Sequence, residues 1–243
     1  MSDFTIIELN TVDSTNNYAM HMIDANKAQH GLTITAKSQT EGKGQRGNQW
    51  LDRPGDSLLM SIIVDPKRAI SGQFSFNAAI AVAIANVLQN IAKNATIHIK
   101  WPNDIIVDDK KAGGILIENV LRGQLWAHSV VGVGINVRQE KMNEELPFAT
   151  SLKIATGIDV DMVGLRNSLI ESIRRAVDNP SPPEKVMAQY NELLYKRGSK
   201  QTFSDNTGQW EATVLNAQDD GTLQVQKEEG NVSYQHGQVR WVW

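Results

Sequence analysis

The sequence predicts an α+β fold that ends in a small β domain, and three patterns favour this assignment. Short apolar strands and helical stretches alternate over most of the chain. A helix then ends in Lys196-Arg197-Gly198, a cationic last turn followed by glycine, which is a strong stop signal. From Gln201 onward, short alternating strands and tight turns suggest a small SH3-like barrel. We therefore expect one domain over residues 1–197 and a second over residues 198–243.

The composition is that of an ordinary globular chain. Of the 243 residues, 41% are hydrophobic and 21% are charged. The net charge of −3 provides no overall basic surface, so a basic site has to be local. The absence of cysteine excludes disulfides, thiolate metal sites and a cysteine nucleophile. The N-terminus lacks a secretory pattern, and the longest nearly apolar run, residues 78–88, is too short to span a bilayer. A cytoplasmic location without membrane contact is therefore expected.

Periodicity and turn residues place the elements of the first domain. Strands are predicted at residues 4–9, 32–37, 57–64, 111–118 and 126–137, with two more that meet at a polar corner within residues 97–107. Helices are predicted at residues 18–28, 74–92, 161–178 and 182–197. Asp13-Ser14-Thr15-Asn16 offers N-cap residues before the first helix, although four polar side chains exceed what a cap requires.

The stretch from Gly42 to Trp50 has the composition of a loop that wraps an anion. Its three glycines let the backbone approach a ligand, Lys43 and Arg46 supply cationic donors, and Trp50 supplies a flat apolar ring. A mobile surface connector is the alternative. The loop matches G-x-G-x-x-G, but no helix follows, which excludes a dinucleotide-binding loop. A kinase glycine loop also fails, because no His-Arg-Asp or Asp-Phe-Gly signature follows.

Two further segments carry glycines on strands beside polar residues. The strand that opens with Lys111 contains Gly113 and Gly114, and a lysine beside such a gap is well placed to meet an anion. The strand at residues 126–137 contains Gly132 and ends near Asn136. Together with the loop, these segments suggest one shared ligand. The Trp-Pro-Asn-Asp corner presents its polar residues at a defined point, or is simply a tight turn.

Five motifs in order resemble the biotin protein ligases, also called biotin–[acetyl-CoA-carboxylase] ligases, in a short form without an N-terminal DNA-binding domain. They are Asp13-Ser14-Thr15-Asn16, Gln39 with the glycine loop, Lys100-Trp101-Pro102-Asn103-Asp104, Lys111-Ala112-Gly113-Gly114-Ile115-Leu116-Ile117-Glu118 and Gly132-Val133-Gly134-Ile135-Asn136. The resemblance implies a mixed-sheet catalytic domain related to class II aminoacyl-tRNA synthetases. It also implies two half-reactions, in which biotin and Mg-ATP give biotinyl-5′-adenylate and a carrier lysine then attacks the adenylate.

The resemblance also implies roles for individual residues. Those expected to bind biotin are Ser14, Thr15, Gln39, Gly42, Lys111, Gly114 and Gly132. Those expected to bind ATP or the adenylate are Lys43, Gln45, Arg46, Trp50, Asn103, Lys111 and Asn136, with Trp50 stacked on adenine and Asn136 at its edge. Lys111, Arg46 and Asp104 are the expected catalytic residues, and Mg²⁺ would lie near Asn103 and Asp104. No permanently bound cofactor is expected.

The loop departs from the family's common Gly-Arg-Gly-Arg-x-Gly-Arg-x-Trp pattern. Lys43, Gln45 and Asn48 stand where arginines are usual, and we hypothesise that Arg46 supplies part of the missing charge. The implied partner is a biotin carboxyl carrier domain of a biotin-dependent carboxylase, and DNA binding is not expected. The oligomeric state is open, with a homodimer among the alternatives. A lipoate or octanoate ligase and a non-catalytic biotin sensor remain alternative functions.

Overall fold

The computed structural model describes residues 5–66 and 69–242. Its larger part is a seven-stranded mixed sheet in the order β1-β2-β3-β7-β6-β5-β4. The outer pair β1 and β2 is parallel, and every other neighbouring pair is antiparallel. The strands are β1 (Ile6–Val12), β2 (Thr33–Gln39), β3 (Ser57–Val64), β4 (Ile97–Lys100), β5 (Asp104–Val107), β6 (Lys110–Arg122) and β7 (Leu125–Asn136).

Helices cover both faces of this sheet. On one face, α1 (Thr15–Asp24) buries Ala19 and Ile23 against Ile34, Ile63 and Val130. On the other face lie the long helix α2 (Gln73–Ile91) and the helices α4 (Met162–Asp178) and α5 (Pro183–Glu192). The short helix α3 (Leu152–Thr156) precedes α4 in the chain. Strand β3 is buried along its whole length. Its residues Leu58, Met60, Ile62 and Val64 belong to the core that includes α2, and Ile63 packs with α1 on the other face.

The C-terminal part is a five-stranded antiparallel sheet in the order β11-β10-β9-β8-β12, compatible with an SH3-like barrel. Its strands are β8 (Lys200–Asp205), β9 (Gly208–Ala217), β10 (Leu223–Lys227), β11 (Gly230–Tyr234) and β12 (Arg240–Trp241). The predicted α+β class with a mixed sheet and a small β domain is therefore confirmed. One continuous hydrophobic core joins the two parts, so the domain boundary between residues 197 and 198 remains a proposal.

Several boundaries differ from the predicted ones for physical reasons. Helix α1 begins at Thr15, and Ser14 at its N-cap makes no side-chain capping bond, so the polar residues there serve another purpose. Strand β1 extends to Val12, and its predicted start at residue 4 lies outside the described residues. Helix α5 ends at Glu192, because Leu194 pairs with Ile99 in place of a further helical turn. The predicted strand at residues 57–64 is confirmed in full.

Helix α2 is the one helix among the described residues that is long and apolar enough to cross a membrane. Ten of its residues are buried in the protein core, between the sheet and helices α4 and α5. Its apolar composition is thus accounted for by packing, as the alanine- and isoleucine-rich pattern of residues 74–92 predicted.

Candidate functional site

A cavity of about 530 Å³ lies on the same face of the sheet as α1, where the part of that face beyond the start of α1 meets the glycine loop and the C-terminal part of the chain. All the glycine-bearing segments singled out in the sequence reach it. Among the described residues that line it, five are cationic and one is acidic: Lys43, Arg46, Lys100, Lys111 and Arg240, with Asp104. The chain has a net charge of −3 but concentrates positive charge at this cavity. This agrees with the expectation that a basic site has to be local.

The end of the cavity nearest α1 is a buried polar network. Gln39 Oε1 accepts from the backbone N–H of Thr15 at 2.7 Å and from its hydroxyl at 3.1 Å. Ser61 Oγ lies 2.8 Å from Thr15 Oγ1 and 2.6 Å from Asn16 Oδ1. Ser14, Thr15 and Asn16 are all buried, and all line the cavity. The surplus of polar residues before α1 thus belongs to the cavity.

Glycines form the floor beside this network, and large side chains lie directly on them. Cross-strand pairing aligns Gly132 with Ser61 and Leu116, and Gly134 with Leu59 and Gly114. Asn16 Oδ1 occupies the space that a Cβ on Gly132 would need. The Trp50 ring covers the next row, with Cε2 only 2.8 Å from the ideal Cβ position on Gly134.

The charged end of the cavity continues the row of Gly134 and Gly114 across the sheet. Asp104 pairs with Gly114 on one side and Lys100 on the other. The Asp104 carboxylate lies 2.6 Å from Lys111 Nζ and 3.7 Å from Lys100 Nζ. Burial lowers the pKa of Lys100, and the attraction of Asp104 opposes this shift only in part. Two ammonium groups therefore flank one carboxylate beside the glycine floor.

The Trp-Pro-Asn-Asp corner is tied to both parts of the protein. Asn103 exchanges two hydrogen bonds with Ile115, since its Nδ2 donates to the Ile115 carbonyl at 2.5 Å and its carbonyl accepts from the Ile115 N–H at 3.1 Å. Trp101 is buried, and its indole N–H donates to the Gly221 carbonyl at 3.1 Å. The hydroxyl of Tyr190 donates to the carbonyl of Pro102 at 3.0 Å. These bonds hold Asp104 in place on β5.

The described residues do not form a ready-made metal site near Asn103 and Asp104. They contain no cluster of three or more histidine, aspartate or glutamate side chains that could hold a metal ion. Asp104 is the one acidic residue that lines the described cavity, and two lysines already neutralise it. The protein residues alone thus do not fit Mg²⁺, which needs several oxygen ligands.

The glycine loop folds into a small hairpin. Lys43 and Gln49 form an antiparallel bridge, the Gly44 N–H donates to Asn48, and the Trp50 N–H donates to Gly42 at 2.9 Å. A Cβ on Gly42 would lie 2.5 Å from the Trp50 carbonyl, so the neck of the hairpin requires glycine. The Trp50 indole N–H is buried and has no hydrogen-bond partner among the described residues.

The tip of this hairpin contacts the C-terminal sheet. Arg46 adopts a left-handed backbone conformation, and its Nη1 donates to the His236 carbonyl at 2.9 Å while the guanidinium lies against Gly237. The His236 ring meets Trp101 edge-on, with 5.6 Å between centroids. Burial and the nearby Arg46 charge lower the pKa of His236, which favours the neutral imidazole. The small domain therefore forms one wall of the cavity.

Most of the residues expected at the site surround this cavity. It is lined by Ser14, Thr15, Gln39, Lys43, Gln45, Arg46, Trp50, Asn103, Asp104, Lys111, Gly114 and Gly132. Gly42 lies at the neck of the hairpin and is not among the lining residues. Asn136 also does not line the cavity, since its side chain is buried and donates to the Thr150 carbonyl at 3.0 Å.

Sequence reasoning missed several residues of the cavity wall. Lys100 and Gly134 belonged to recognised motifs without being chosen as site residues. Arg240 and Trp241 come from β12 and His236 from the connection between β11 and β12, where the alternating pattern gave no signal of a site. The Lys100 ammonium lies 5.6 Å from the centroid of the Trp241 ring, which links the two sheets at the charged end.

Comparisons with known proteins agree with this architecture. The model of the biotin/lipoate A/B protein ligase family matches residues 9–136, more than half of the chain. The bifunctional ligase/repressor BirA of Bacillus spizizenii is 27% identical over 232 residues, which covers 93% of this chain and 70% of that protein. The biotin–[acetyl-CoA-carboxylase] ligase of Paracoccus denitrificans is 32% identical over 127 residues, 51% of each protein. The solved biotin protein ligase of Aquifex aeolicus, in complex with biotin and ATP, is 23% identical; its TM-score is 0.78, and the match covers 98% of this chain and 99% of that one.

Proposed function

The chain belongs to the biotin/lipoate A/B protein ligase family, and from this we infer that it joins biotin to a carrier protein in two steps. It is a ligase, and the resemblance of its motifs to the biotin protein ligases is confirmed by the named relatives. The observation that carries the proposal is the continuity of one cavity. A neutral polar network, a glycine floor and the Lys111–Asp104 pair follow one another along it.

In the first step we propose that the biotin carboxylate attacks the α-phosphorus of ATP. An oxygen–phosphorus bond forms, the bond to the β-phosphate oxygen breaks, and pyrophosphate leaves with biotinyl-5′-adenylate left in the site. The substrate carboxylate is the nucleophile, so no protein nucleophile is needed. The protein has to bring two anions together and stabilise the charge at phosphorus, and the Lys111 ammonium beside the glycine floor suits that task.

In the second step a lysine amine of the carrier attacks the acyl carbon of the adenylate, and AMP leaves. We propose that Asp104 receives the incoming amine, because it is the acidic residue of the described lining and lies beside the row of glycines. The carrier domain of a biotin-dependent carboxylase is the proposed partner; one relative is named as a ligase for acetyl-CoA carboxylase. A cytoplasmic location, Mg²⁺ bound with ATP and the absence of DNA binding remain proposals.

The neutral end of the cavity suits the ureido head of biotin. A ureido group carries a carbonyl acceptor and two N–H donors but no charge, and the network of Ser14, Thr15 and Gln39 offers neutral donors and acceptors. Trp50 and Asn136 are the proposed contacts of adenine, and Asn136 would have to leave the Thr150 carbonyl to take that role. Lys43, Gln45 and Asn103 are proposed to face the phosphates.

Biotin-dependent ATP–pyrophosphate exchange tests the proposed function directly. The purified protein is incubated with labelled pyrophosphate, Mg-ATP and either biotin, lipoate or octanoate. Exchange that depends on biotin is the expected result. Exchange with lipoate or octanoate alone would replace the assignment with a lipoyl or octanoyl ligase. Biotin binding without any exchange would indicate a non-catalytic sensor.

The loop residue Arg46 offers a separate test of how the intermediate is held. We expect Arg46→Ala to release biotinyl-adenylate about tenfold faster, because the hairpin loses its charged bond to the C-terminal sheet and a cation next to the site. Retention of labelled adenylate after gel filtration measures the effect. Arg53→Ala, in the exposed turn after the hairpin, is the matched control. Unchanged adenylate formation and retention in Arg46→Ala would contradict the role given to this arginine.

A further inference from the structure

Glu118 lies outside the lining of the cavity but is bonded to its polar end. It stands on β6 two residues after Leu116, on the same face of the sheet as Gly114. Its Oε2 accepts from Asn16 Nδ2 at 2.6 Å. Asn16 in turn contacts Ser61, and Ser61 contacts Thr15. The Glu118 carboxylate is thus connected through two side chains, Asn16 and Ser61, to Thr15, which is proposed to hold the ligand.

The chemistry of these groups fixes which member of each hydrogen bond donates and which accepts. An ionised carboxylate can only accept hydrogen bonds, so Glu118 requires the amide nitrogen of Asn16 to face it. The amide oxygen of Asn16 then faces Ser61 at 2.6 Å, and that oxygen can also only accept. The single hydroxyl proton of Ser61 is therefore directed to Asn16. Ser61 is left as an acceptor toward Thr15.

The direction continues to the edge of the cavity. With Ser61 acting as an acceptor, the Thr15 hydroxyl proton goes either to Ser61 or to Gln39 Oε1. The Thr15 oxygen then accepts from neither of them, so its lone pairs are available to a ligand donor in the cavity that Thr15 lines. Gln39 Oε1 also accepts from the Thr15 backbone N–H, so the Gln39 amide presents its two N–H donors away from Thr15. A reversed Asn16 amide would place two acceptors together at Glu118 and would free the Ser61 proton.

We propose that Glu118 is a positioning residue, which fixes the orientation of the Asn16 amide and thereby sets which atoms at the polar end donate and which accept. The inference rests on the proposed function, since the ligand whose head is recognised there is biotin. The ureido head needs both a donor and acceptors in a defined arrangement. Glu118 is the one charged group in this series of hydrogen bonds, and its charge favours the orientation in which the Asn16 amide nitrogen faces it. Glu118 itself touches neither substrate.

The packing around Asn16 agrees with a fixed amide. Asn16 is 3% exposed and Ser61 is fully buried. Asn16 Oδ1 lies directly on Gly132, in the space that a side chain at that position would occupy. Steric contact alone does not distinguish the two ends of an amide, because oxygen and NH₂ are similar in size. The distinction is made at the nitrogen end, where Nδ2 donates to the Glu118 carboxylate at 2.6 Å and, at the longer distance of 3.4 Å, to the Leu116 carbonyl. The carboxylate is the closer acceptor and the charged one.

A set of variants tests this role through the Michaelis constant for biotin. Glu118→Leu removes the acceptor and is expected to raise the biotin KM about tenfold, while kcat at saturating biotin and the ATP KM stay within about twofold of wild type. Asn16→Asp sets two carboxylates face to face and should raise the biotin KM at least as much. The double variant Asn16→Asp/Glu118→Gln restores the polarity, because the amide introduced on β6 then donates to the carboxylate introduced on α1. It should recover biotin binding to within about threefold of wild type.

The matched control is Glu8→Gln, which also neutralises a sheet glutamate, but one whose partner is Arg166. Its biotin KM should equal that of wild type. Three results would each overturn the proposal. They are a wild-type biotin KM in Glu118→Leu, a loss of kcat and of ATP affinity in Glu118→Leu as large as its loss of biotin affinity, and a double variant whose biotin KM is no better than that of Asn16→Asp. Biotin binding is measured by calorimetry in parallel. A wild type that binds biotin without exchange overturns the proposed function and leaves the test of Glu118 in place, whereas a wild type that does not bind biotin overturns both.

Discussion

Lys111→Ala is expected to lower biotin-dependent ATP–pyrophosphate exchange by at least about 100-fold. The Lys111 ammonium lies beside both the glycine floor and Asp104, where the carboxylate of biotin and the α-phosphate of ATP are proposed to meet. Its loss removes the positive charge closest to that point and leaves Asp104 with Lys100 at 3.7 Å. The rate of exchange at saturating biotin and ATP measures the effect.

Lys110→Ala is the control for this prediction, because Lys110 precedes Lys111 on β6 and is exposed. Its exchange rate should match that of wild type, and both variants should unfold at the wild-type urea concentration within error. Biotin binding to Lys111→Ala should weaken, because the lysine is proposed to meet the biotin carboxylate, but it should persist, since the polar end of the cavity is untouched. An exchange rate for Lys111→Ala within tenfold of wild type would exclude the role assigned to this lysine.

Gly132→Ala is expected to have the second largest effect, a biotin affinity reduced more than about tenfold together with a loss of roughly 1–3 kcal/mol of unfolding free energy. The added methyl group would overlap Asn16 Oδ1. Asn16 has little room to move, because Ser61 holds its oxygen and Glu118 holds its nitrogen. Calorimetric titration with biotin and urea unfolding measure the two effects.

Two further variants separate steric overlap from loss of the polar network. Gly132→Ala/Asn16→Ala removes the overlap and should recover most of the unfolding free energy but not the biotin affinity. Gly123→Asn lies at the tip of the β6–β7 hairpin, where nothing is within contact distance and the positive φ suits asparagine. It should behave as wild type. A Gly132→Ala protein with wild-type stability would show that Asn16 can leave the glycine at little cost.

Much of the fold and of the candidate site could be predicted because the signals are local. The strand at residues 57–64 is apolar except for Ser57 and Ser61, since it is buried on both faces, and it was located in full. The cavity brings together the glycine loop, the strand that opens at Lys111 and the strand that contains Gly132, as the shared-ligand hypothesis required. The loop and the strand at Lys111 both combine glycine with a cationic residue, a pairing that the local sequence reveals.

The remainder depends on contacts between distant parts of the chain. Nothing in the local sequence indicates that Arg46 reaches the His236 carbonyl, 190 residues away. The position of Asn16 on Gly132 likewise arises only when α1 packs against the sheet. Asn136 sits at the end of a motif, yet its amide is engaged by the segment around Thr150. Side chains that link separate elements were therefore the ones missed or given another role.

We expect the contacts that join the two sheets to determine how the protein loses activity on heating. Asn191 makes both of its side-chain bonds with the Ala217 backbone, at 3.0 and 2.8 Å, and the Trp101 indole donates to the Gly221 carbonyl. Since the apolar interior is continuous across this joint, we expect the small sheet to unfold together with the larger one. A temperature-sensitive lesion in β8–β12 will therefore show itself as lost ligation, even though the lesion lies outside the chemistry.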